Sequence, residues 1–313
     1  MFDKVSLALL SIVSKKTMLM VRSVGFKTQL SVSFFENRFA LFMEGGNYRL
    51  LSFVMRYDDT SNDIGSALPV HILMTSKLTD EVVKSQLDID QSSSLFKAET
   101  WIKNLKCAFH VEEVDLRLKT LFFCMRSICN MMRGVKINKL SATYNYPHFS
   151  QLVEMLHPPP NKVFLRTANR VAGSPTDQAL TRKVLIQNFQ SVALDTEVSL
   201  DTLLMTNVPR LISFAEGPSN EELNIFIKIW LKTESTKLEH LFLGSRNPLD
   251  ENAVFKGISY VKQPDSRVIV FDHAGAPLIG NRPAEGGYDI KRKDGTIATI
   301  TLVGIQFRMI VWI

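Results

Sequence analysis

The sequence lacks the motifs that most often mark an enzyme or a cofactor site. It contains no GxSxG, no P-loop and no GxGxxG, and its six histidines and three cysteines show neither zincin nor CxxC spacing. No nucleophile, phosphate cradle or metal site is therefore indicated. We expect a protein that is not an enzyme and that holds no cofactor or metal.

Long apolar runs are also missing. None reaches the roughly 18 residues that a membrane span requires. The apolar stretch 5–14 has the length of a signal-peptide core, but Lys15 and Lys16 follow it directly and no small-x-small cleavage site is present. Neither membrane insertion nor secretion is expected.

Cysteine is scarce, and its number is odd. Cys107, Cys124 and Cys129 leave one thiol over in any disulfide scheme, and all three have apolar neighbours. Reduced thiols in a core are typical of a protein of the cytoplasm or nucleus, which is where we expect this chain.

No strong charge cluster is present either. The net charge is +6, and the 37 cations are spread along 313 residues of which 45% are hydrophobic. Binding to nucleic acid depends on a concentrated basic surface that releases counterions. We therefore expect a globular protein whose partners are neither nucleic acid nor membrane.

The first third of the chain combines one helix with short strands. Residues 3–24 place apolar side chains near one helical face. Three short runs rich in β-branched and aromatic residues follow from about residue 27 to 57, with turn residues between them. They predict an antiparallel β meander, followed by a polar loop at 58–66.

From about residue 96 the pattern changes to alternating strands and helices. Predicted strand centres near Val114, Ile137, Phe164, Ala193, Ile212 and Leu241 are irregularly spaced. This spacing predicts an α/β fold, an irregular leucine-rich-repeat-like solenoid with a parallel sheet on one side and helices on the other. A doubly wound sheet is the competing arrangement, but no unit has a Gly-rich turn after its first strand. The best helix follows Ser219, which forms a capping box with Glu222.

The basic run 291–293 could be a phosphate cradle, a nucleic-acid contact, a targeting signal or the end of a β-hairpin. A three-residue loop of Lys293, Asp294 and Gly295 pairs Ile290 with Ala298 and collects the apolar side chains on one face. A two-residue loop would mix apolar and polar side chains on both faces. The sequence therefore predicts a structural hairpin with its cations at the solvent end, where they discourage edge pairing.

The C-terminal half resembles a known family. The stretch 199–243, "SLDTLLMTNVPRLISFAEGPSNEELNIFIKIWLKTESTKLEHLFL", is similar to the F-box-associated type 2 region of the nematode F-box B family. "FKGISYV", "GGYDIKRKDGTIATI" and "FRMIVW" resemble the closing segment of that family. The residues at the family positions of 199–243 are Leu203, Leu204, Asn224, Phe226, Trp230, Leu238 and Leu241.

The resemblance implies two parts. Residues 1–25 would be a partial F-box helix that lacks the opening Leu-Pro pair, and 26–313 an F-box-associated region. Within it we expect the β meander and loop at 26–95, the leucine-rich-repeat-like units at 96–245 and a C-terminal β region with the hairpin at 246–313.

The resemblance also implies a function. The chain would be a non-catalytic substrate-recognition subunit of a Skp-cullin-F-box ubiquitin ligase. Its partners would be a Skp-class adaptor with its cullin complex and an unknown target, held on the concave face of the solenoid. The alternative is a protein-binding module that has lost its coupling to the ligase. The expected residual adaptor contact consists of Leu9, Leu10, Val13, Met18 and Met20.

Overall fold

Strands and helices alternate through most of the part of the chain that the structure describes. The structure is a computed structural model, and it describes residues 15–23, 28–35, 38–45, 48–57, 71–77, 82–88, 97–119, 125–143, 149–166, 175–233, 237–245, 247–269 and 284–312. The predicted α/β class is confirmed. The chain divides into two compact units, residues 1–160 and 161–313. The predicted segment boundaries after residues 25, 95 and 245 stay predictions.

The first unit begins with a helix and a series of strands. Its helices are α1 (Lys15–Ser23), α2 (Ala98–Ala108), α3 (Met125–Met131) and α4 (Phe149–Met155). Its strands are β1 (Gln29–Phe35), β2 (Arg38–Gly45), β3 (Tyr48–Arg56), β4 (His71–Lys77), β5 (Val82–Asp88), β6 (Glu113–Leu118) and β7 (Lys136–Thr143). Residues 1–14, which hold most of the predicted N-terminal helix, lie outside the described residues.

The sheet of the first unit is mixed. Strands β1 to β5 form an antiparallel meander, and the far side of β1 pairs in parallel with β6, which pairs in parallel with β7. The predicted meander over 27–57 is therefore confirmed. The structure extends it by β4 and β5, which the sequence did not reveal because both strands mix polar residues into their apolar pattern.

Helix α2 supplies the core contact of the meander. Trp101, Ile102 and Leu105 are buried, as their helical spacing predicts. The ring of Trp101 meets the ring of Phe53 edge to face, with 4.9 Å between the ring centroids. Burial of large aromatic side chains in this geometry fixes the helix against strand β3.

The second unit repeats the alternation before it ends in strands. Its helices are α5 (Pro175–Leu185), α6 (Leu200–Leu204), α7 (Asn220–Lys232) and α8 (Glu251–Val254). Its strands are β8 (Lys162–Arg166), β9 (Ser191–Leu194), β10 (Arg210–Glu216), β11 (His240–Gly244), β12 (Val261–Lys262), β13 (Val268–Ile269), β14 (Ala284–Glu285), β15 (Tyr288–Lys291), β16 (Ile297–Val303) and β17 (Gln306–Trp312).

The sheet of the second unit is mixed as well. Strands β8, β9, β10 and β11 are parallel neighbours in chain order, without the reversal of order that a doubly wound sheet has. Strand β11 then pairs antiparallel with β17, and the order continues through β16 and β15 to β12. Strands β13 and β14 form a separate antiparallel ribbon.

Helix α7 begins and packs as its sequence predicts. Ser219 caps the helix, and the reciprocal bonds of the capping box with Glu222 are both present. The buried residues of the helix include Asn224, whose side-chain amide donates to the backbone oxygens of Val254 and Lys256 at 2.8 and 3.0 Å. This amide holds α7 to the end of α8.

The C-terminal hairpin confirms the predicted register. Ile290 pairs with Ala298, and Gly295 has a φ of +94° in the loop that begins at Lys293. The prediction that all three cations face solvent is wrong for Arg292, which is buried. Arg292 is in phase with Ile290 on the core side of the strand, so its guanidinium points inward and lies 5.1 Å from the ring centroid of Trp230.

The structure also bears on membranes, metals and cysteines. Within the described ranges, no helix is long and apolar enough to span a membrane, and no group of His, Cys, Asp or Glu side chains is arranged to hold a metal ion. Cys107 is a free thiol, and Cys129 is buried. Cys124 lies outside the described residues.

Candidate protein-interaction surface

The sheet of the second unit has two faces with different surroundings. Tyr288 packs on Phe255 directly after helix α8, with 4.8 Å between ring centroids, and its hydroxyl donates to Glu251 at 2.5 Å. Burial raises the pKa of Tyr288 to about 12, and this hydrogen bond adds to the shift. Cross-strand pairing places Ile300 and Met309 in the same row as Tyr288. This is the helix-covered face.

The opposite face begins with an apolar cluster on the parallel strands. Its buried members occupy paired positions on four neighbouring strands, and Phe214 packs beside them half-buried. They are Phe164, Ala193, Ile212 and Phe242. On β17 the same face carries Ile310, which is buried against Ile269 of the ribbon strand β13. The face is therefore apolar along its parallel part.

Exposed side chains appear on this face at its antiparallel end. Lys291, Ile297 and Trp312 stand opposite one another on the three neighbouring strands β15, β16 and β17. Trp312 is 42% exposed and Ile297 is 40% exposed, whereas Trp101 and Trp230 are almost completely buried. We call Lys291, Ile297 and Trp312, together with Arg267, the Trp312 surface.

A closed set of contacts holds the exposed indole in place. The indole Nε1 of Trp312 donates to Thr299 Oγ1 at 2.8 Å, and the same hydroxyl donates to Asp289 Oδ1 at 2.6 Å. Asp289 pairs through both carboxylate oxygens with Nη1 of Arg267, at 2.9 and 2.8 Å. The guanidinium of Arg267 returns to the indole, 5.8 Å from its ring centroid, in cation–π geometry.

These contacts give the Trp312 surface a fixed shape. Tryptophan and arginine are the residues most enriched at the energetic centres of protein interfaces. A tryptophan that is already held in one orientation loses little side-chain entropy when a partner covers it. The arrangement is suited to binding another protein.

Sequence reasoning missed this surface, although part of the signal is present in strand β17. Phe307, Met309 and Val311 alternate toward the core, which puts Trp312 in phase with Arg308 on the other face. The alternation could have separated Trp312 from the core. The buried guanidinium of Arg308 donates to the ring of His240, which is also buried, at 3.3 Å.

The predicted adaptor residues are only partly within the described chain. Leu9, Leu10 and Val13 lie outside it. On helix α1, Met18 is half-buried, whereas Met20 is 62% exposed; Leu19, which the prediction omitted, is 49% exposed. Helix α1 thus presents large apolar side chains to solvent.

The C-terminal end of helix α1 is attached to helix α2. The ring Nε2 of His110 lies 3.2 Å from the backbone oxygen of Arg22, and Nη1 of Arg22 donates to the Cys107 sulfur at 3.8 Å. A shallow depression of about 510 Å³ adjoins these contacts. Its basic residues include Lys106, whose pKa is lowered by burial. Cations near helix C-termini complement the helix dipole. The basic residues of this depression therefore do not by themselves indicate a ligand site.

Comparison with known proteins shows that part of the second unit is similar to a known family. Residues 180–243, which run from within α5 through most of β11, match the F-box associated family. The F-box associated domain-containing protein sdz-33 of Caenorhabditis elegans is 24% identical over 87 residues, which are 26% of this chain and 29% of that protein. No solved structure matches the chain.

The matched segment contains the family positions that the resemblance identified. Leu203, Asn224 and Trp230 lie within it, and the structure buries all three. The match rests on a region whose capped helix and parallel strands are described from end to end, apart from residues 234–236. The resemblance identified from the sequence is confirmed over this segment: residues 180–243 match the F-box associated family, and the similar protein comes from a nematode.

Proposed function

We propose that this chain is the non-catalytic substrate-recognition subunit of a Skp-cullin-F-box ubiquitin ligase, and that it binds a target protein for ubiquitination. The observation that carries this proposal is the F-box associated match over 180–243. Regions of this family are generally interaction modules without catalysis. A place in the cytoplasm or nucleus, where such ligases act, belongs to the same proposal.

The proposed adaptor contact uses the helix at the start of the chain. It consists of Leu9, Leu10, Val13, Met18 and Met20. The exposure of Met20 and its neighbour Leu19 supports this adaptor contact, because burial of apolar side chains by a partner stabilises the complex. About 25 cal/mol is gained for each Å² of apolar surface removed from water.

The proposed target contact uses the sheet face that no described helix covers. We propose that β8 to β11, joined through α5, α6 and α7, are irregular leucine-rich-repeat-like units. The order of four parallel neighbours supports this reading. In such an arrangement the sheet face is the extended binding surface, and the Trp312 surface lies on its continuation.

Co-expression with a Skp-class adaptor tests the proposal. The full chain should co-purify with the adaptor, and Met20→Asp should reduce the recovered adaptor at least about tenfold, because a buried carboxylate without a partner costs well over 1.4 kcal/mol. Met205→Asp is the matched control, since Met205 is also exposed at a helix end but lies in the second unit. It should leave recovery unchanged.

Two outcomes would contradict the ligase proposal. The first is a folded chain that recovers no adaptor. The second is equal recovery by the parent chain and by Met20→Asp, which would place any contact elsewhere. Either result, combined with retained binding of a target, would leave the alternative of a binding module without ligase coupling.

A further inference from the structure

We infer that the Trp312 surface binds an extended peptide segment of the target in which an apolar side chain is flanked by acidic residues. This inference rests on the proposed function and names the chemistry that the recognised target would offer. It is carried by three properties of the Trp312 surface: its apolar seat, its charge and its rigidity.

The apolar seat consists of the side chains of Ile297 on β16 and Trp312 on β17. Ile297 and Trp312 are direct cross-strand partners, so their side chains stand next to each other on one face of the sheet. Both are about two-fifths exposed. An apolar side chain of a partner could cover the indole and the isoleucine together, in the way that interface anchors fill a small apolar site.

The charge beside this seat is positive. Lys291 is exposed and stands opposite Ile297, and among the described residues its amine forms no ion pair. Lys293 is exposed in the adjoining turn and is likewise unpaired within the described part of the chain. The charge of Arg267 is balanced by Asp289. The lysines therefore supply the uncompensated charge, which complements a carboxylate beside the partner's apolar residue.

The rigidity of the seat favours a flexible ligand. Trp312 is fixed by its bond to Thr299 and by Arg267 above its ring. The peptide alone would then be ordered on binding, and this lowers the entropic cost of the complex. Asp289, which accepts from Gln263, Arg267 and Thr299, holds the set together and acts as a positioning residue.

A peptide fits the surface better than single-stranded nucleic acid does. Nucleic acid is held by several cations along its backbone, with aromatic faces stacked on successive bases. The row across β15, β16 and β17 offers one tryptophan and one lysine. An RNA oligomer nevertheless belongs in the test, because stacking on Trp312 is the competing use of an exposed indole.

Tryptophan fluorescence of the full chain provides the test. The chain has three tryptophans, and Trp101 and Trp230 are 1% and 2% exposed, so quenching by acrylamide reports mainly on Trp312. The probes are the peptide acetyl-EDLFDE-amide, its charge-reversed form acetyl-KKLFKK-amide and an oligouridine. The acidic peptide should protect Trp312 from acrylamide and should bind at least about tenfold more tightly than the basic one.

Charge reversal on the protein gives the sharpest comparison. Lys291→Glu should reverse the preference between the two peptides, whereas Lys256→Glu, an exposed lysine just after α8, should preserve it. Asp289→Asn should weaken binding of the acidic peptide several-fold and should make Trp312 easier to quench. A general loss of stability would instead make all three tryptophans easier to quench.

The inference is overturned if neither peptide protects Trp312, if both bind the parent chain equally, if Lys291→Glu leaves the preference unchanged, or if the oligouridine binds most tightly. Its failure is separable from failure of the proposed function. A chain that recovers the adaptor but binds no peptide refutes the Trp312 surface alone, and a chain that binds the acidic peptide but recovers no adaptor refutes the ligase role alone.

Discussion

At the scale of single residues, the turn at Lys293, Asp294 and Gly295 is set by backbone conformation and charge together. Gly295 has a φ of +94°, which side chains with a Cβ rarely adopt. Asp294 accepts from the backbone amide of Thr296 at 2.9 Å and pairs with Arg292 at 2.6 Å. The turn therefore depends on its glycine and on a carboxylate that holds the buried arginine.

Gly295→Val should destabilise the second unit by about 1–2 kcal/mol, the typical cost of a left-handed backbone for a residue with a Cβ. No atom lies within 4 Å of the position that a Cβ would take, so the cost is conformational and not steric. Gly295→Asn should cost less, because asparagine tolerates this region better. Urea unfolding measures both, and a valine variant as stable as the parent would refute the turn assignment.

Asp294 should make stability depend on pH in the acid range. Its hydrogen bond to Arg292, followed by that to the Thr296 amide, lowers the pKa of this carboxyl. A carboxyl with a lowered folded-state pKa stabilises above its unfolded value of about 3.9 and loses that contribution as the pH falls toward the folded value.

The variant Asp294→Asn checks this directly. Its urea midpoint should lie below that of the parent chain at pH 7, and the gap should narrow as the pH falls below about 4. Asp250→Asn serves as the comparison, because Asp250 is another exposed aspartate that accepts a hydrogen bond from a backbone amide. If the difference in urea midpoint between the parent chain and Asp294→Asn stayed constant from pH 7 to pH 2, the ionised Asp294 would not stabilise the fold as proposed.

At the scale of elements, helix α7 connects the family match to the packing of the second unit. Its buried side chains include Trp230, which lies under the guanidinium of Arg292. The side-chain amide of Asn224 donates to the backbone oxygen of Val254 at the end of α8. The helix therefore joins the parallel strands, the short helix and the C-terminal hairpin.

Asn224→Leu should destabilise the chain by about 2 kcal/mol, because two backbone carbonyls near α8 would lose their donor in a buried position. Ile225→Ala, on the exposed side of the same helix, should change the free energy of unfolding by about 0.5 kcal/mol or less. Denaturant unfolding of the two variants gives the comparison. Equal effects would show that the Asn224 amide does not hold the two helices together.

Strong periodicity allowed the elements to be predicted well. The apolar spacing of α2, the capping box of α7 and the hairpin register could be read directly, because each depends on residues close in sequence. Strands β4 and β5 could not be predicted, because polar residues interrupt their apolar pattern. The prediction is wrong for Arg292, because its charge favours solvent whereas its phase with Ile290 puts it on the core side.

The Trp312 surface could not be predicted for a different reason. Arg267 and Asp289 are 22 residues apart in the chain, and the ribbon strand β13 follows Arg267 directly. Only the folded second unit brings this arginine over the indole of Trp312 and leaves the indole partly exposed. The alternation in β17 separates Trp312 from the core side of the strand, but it carries no information on which distant residues pack on the other side.

At the scale of the whole molecule, the proposed function requires two separate contacts. Helix α1 in the first unit would bind the adaptor, and the uncovered sheet face of the second unit would bind the target. The family match covers β9, β10 and most of β11 of that face, whereas the Trp312 surface lies outside the matched residues. In the proposed function, coupling between recognition and ubiquitination would depend on the first contact.

The most direct measurement is sedimentation velocity of the purified full chain mixed with a purified Skp-class adaptor and the adaptor-binding part of a cullin. The proposal predicts one species that contains all three proteins in equal amounts, and its loss in Met20→Asp but not in Met205→Asp. Separate sedimentation of the chain at micromolar concentrations, with both variants behaving as the parent does, would contradict the ligase role.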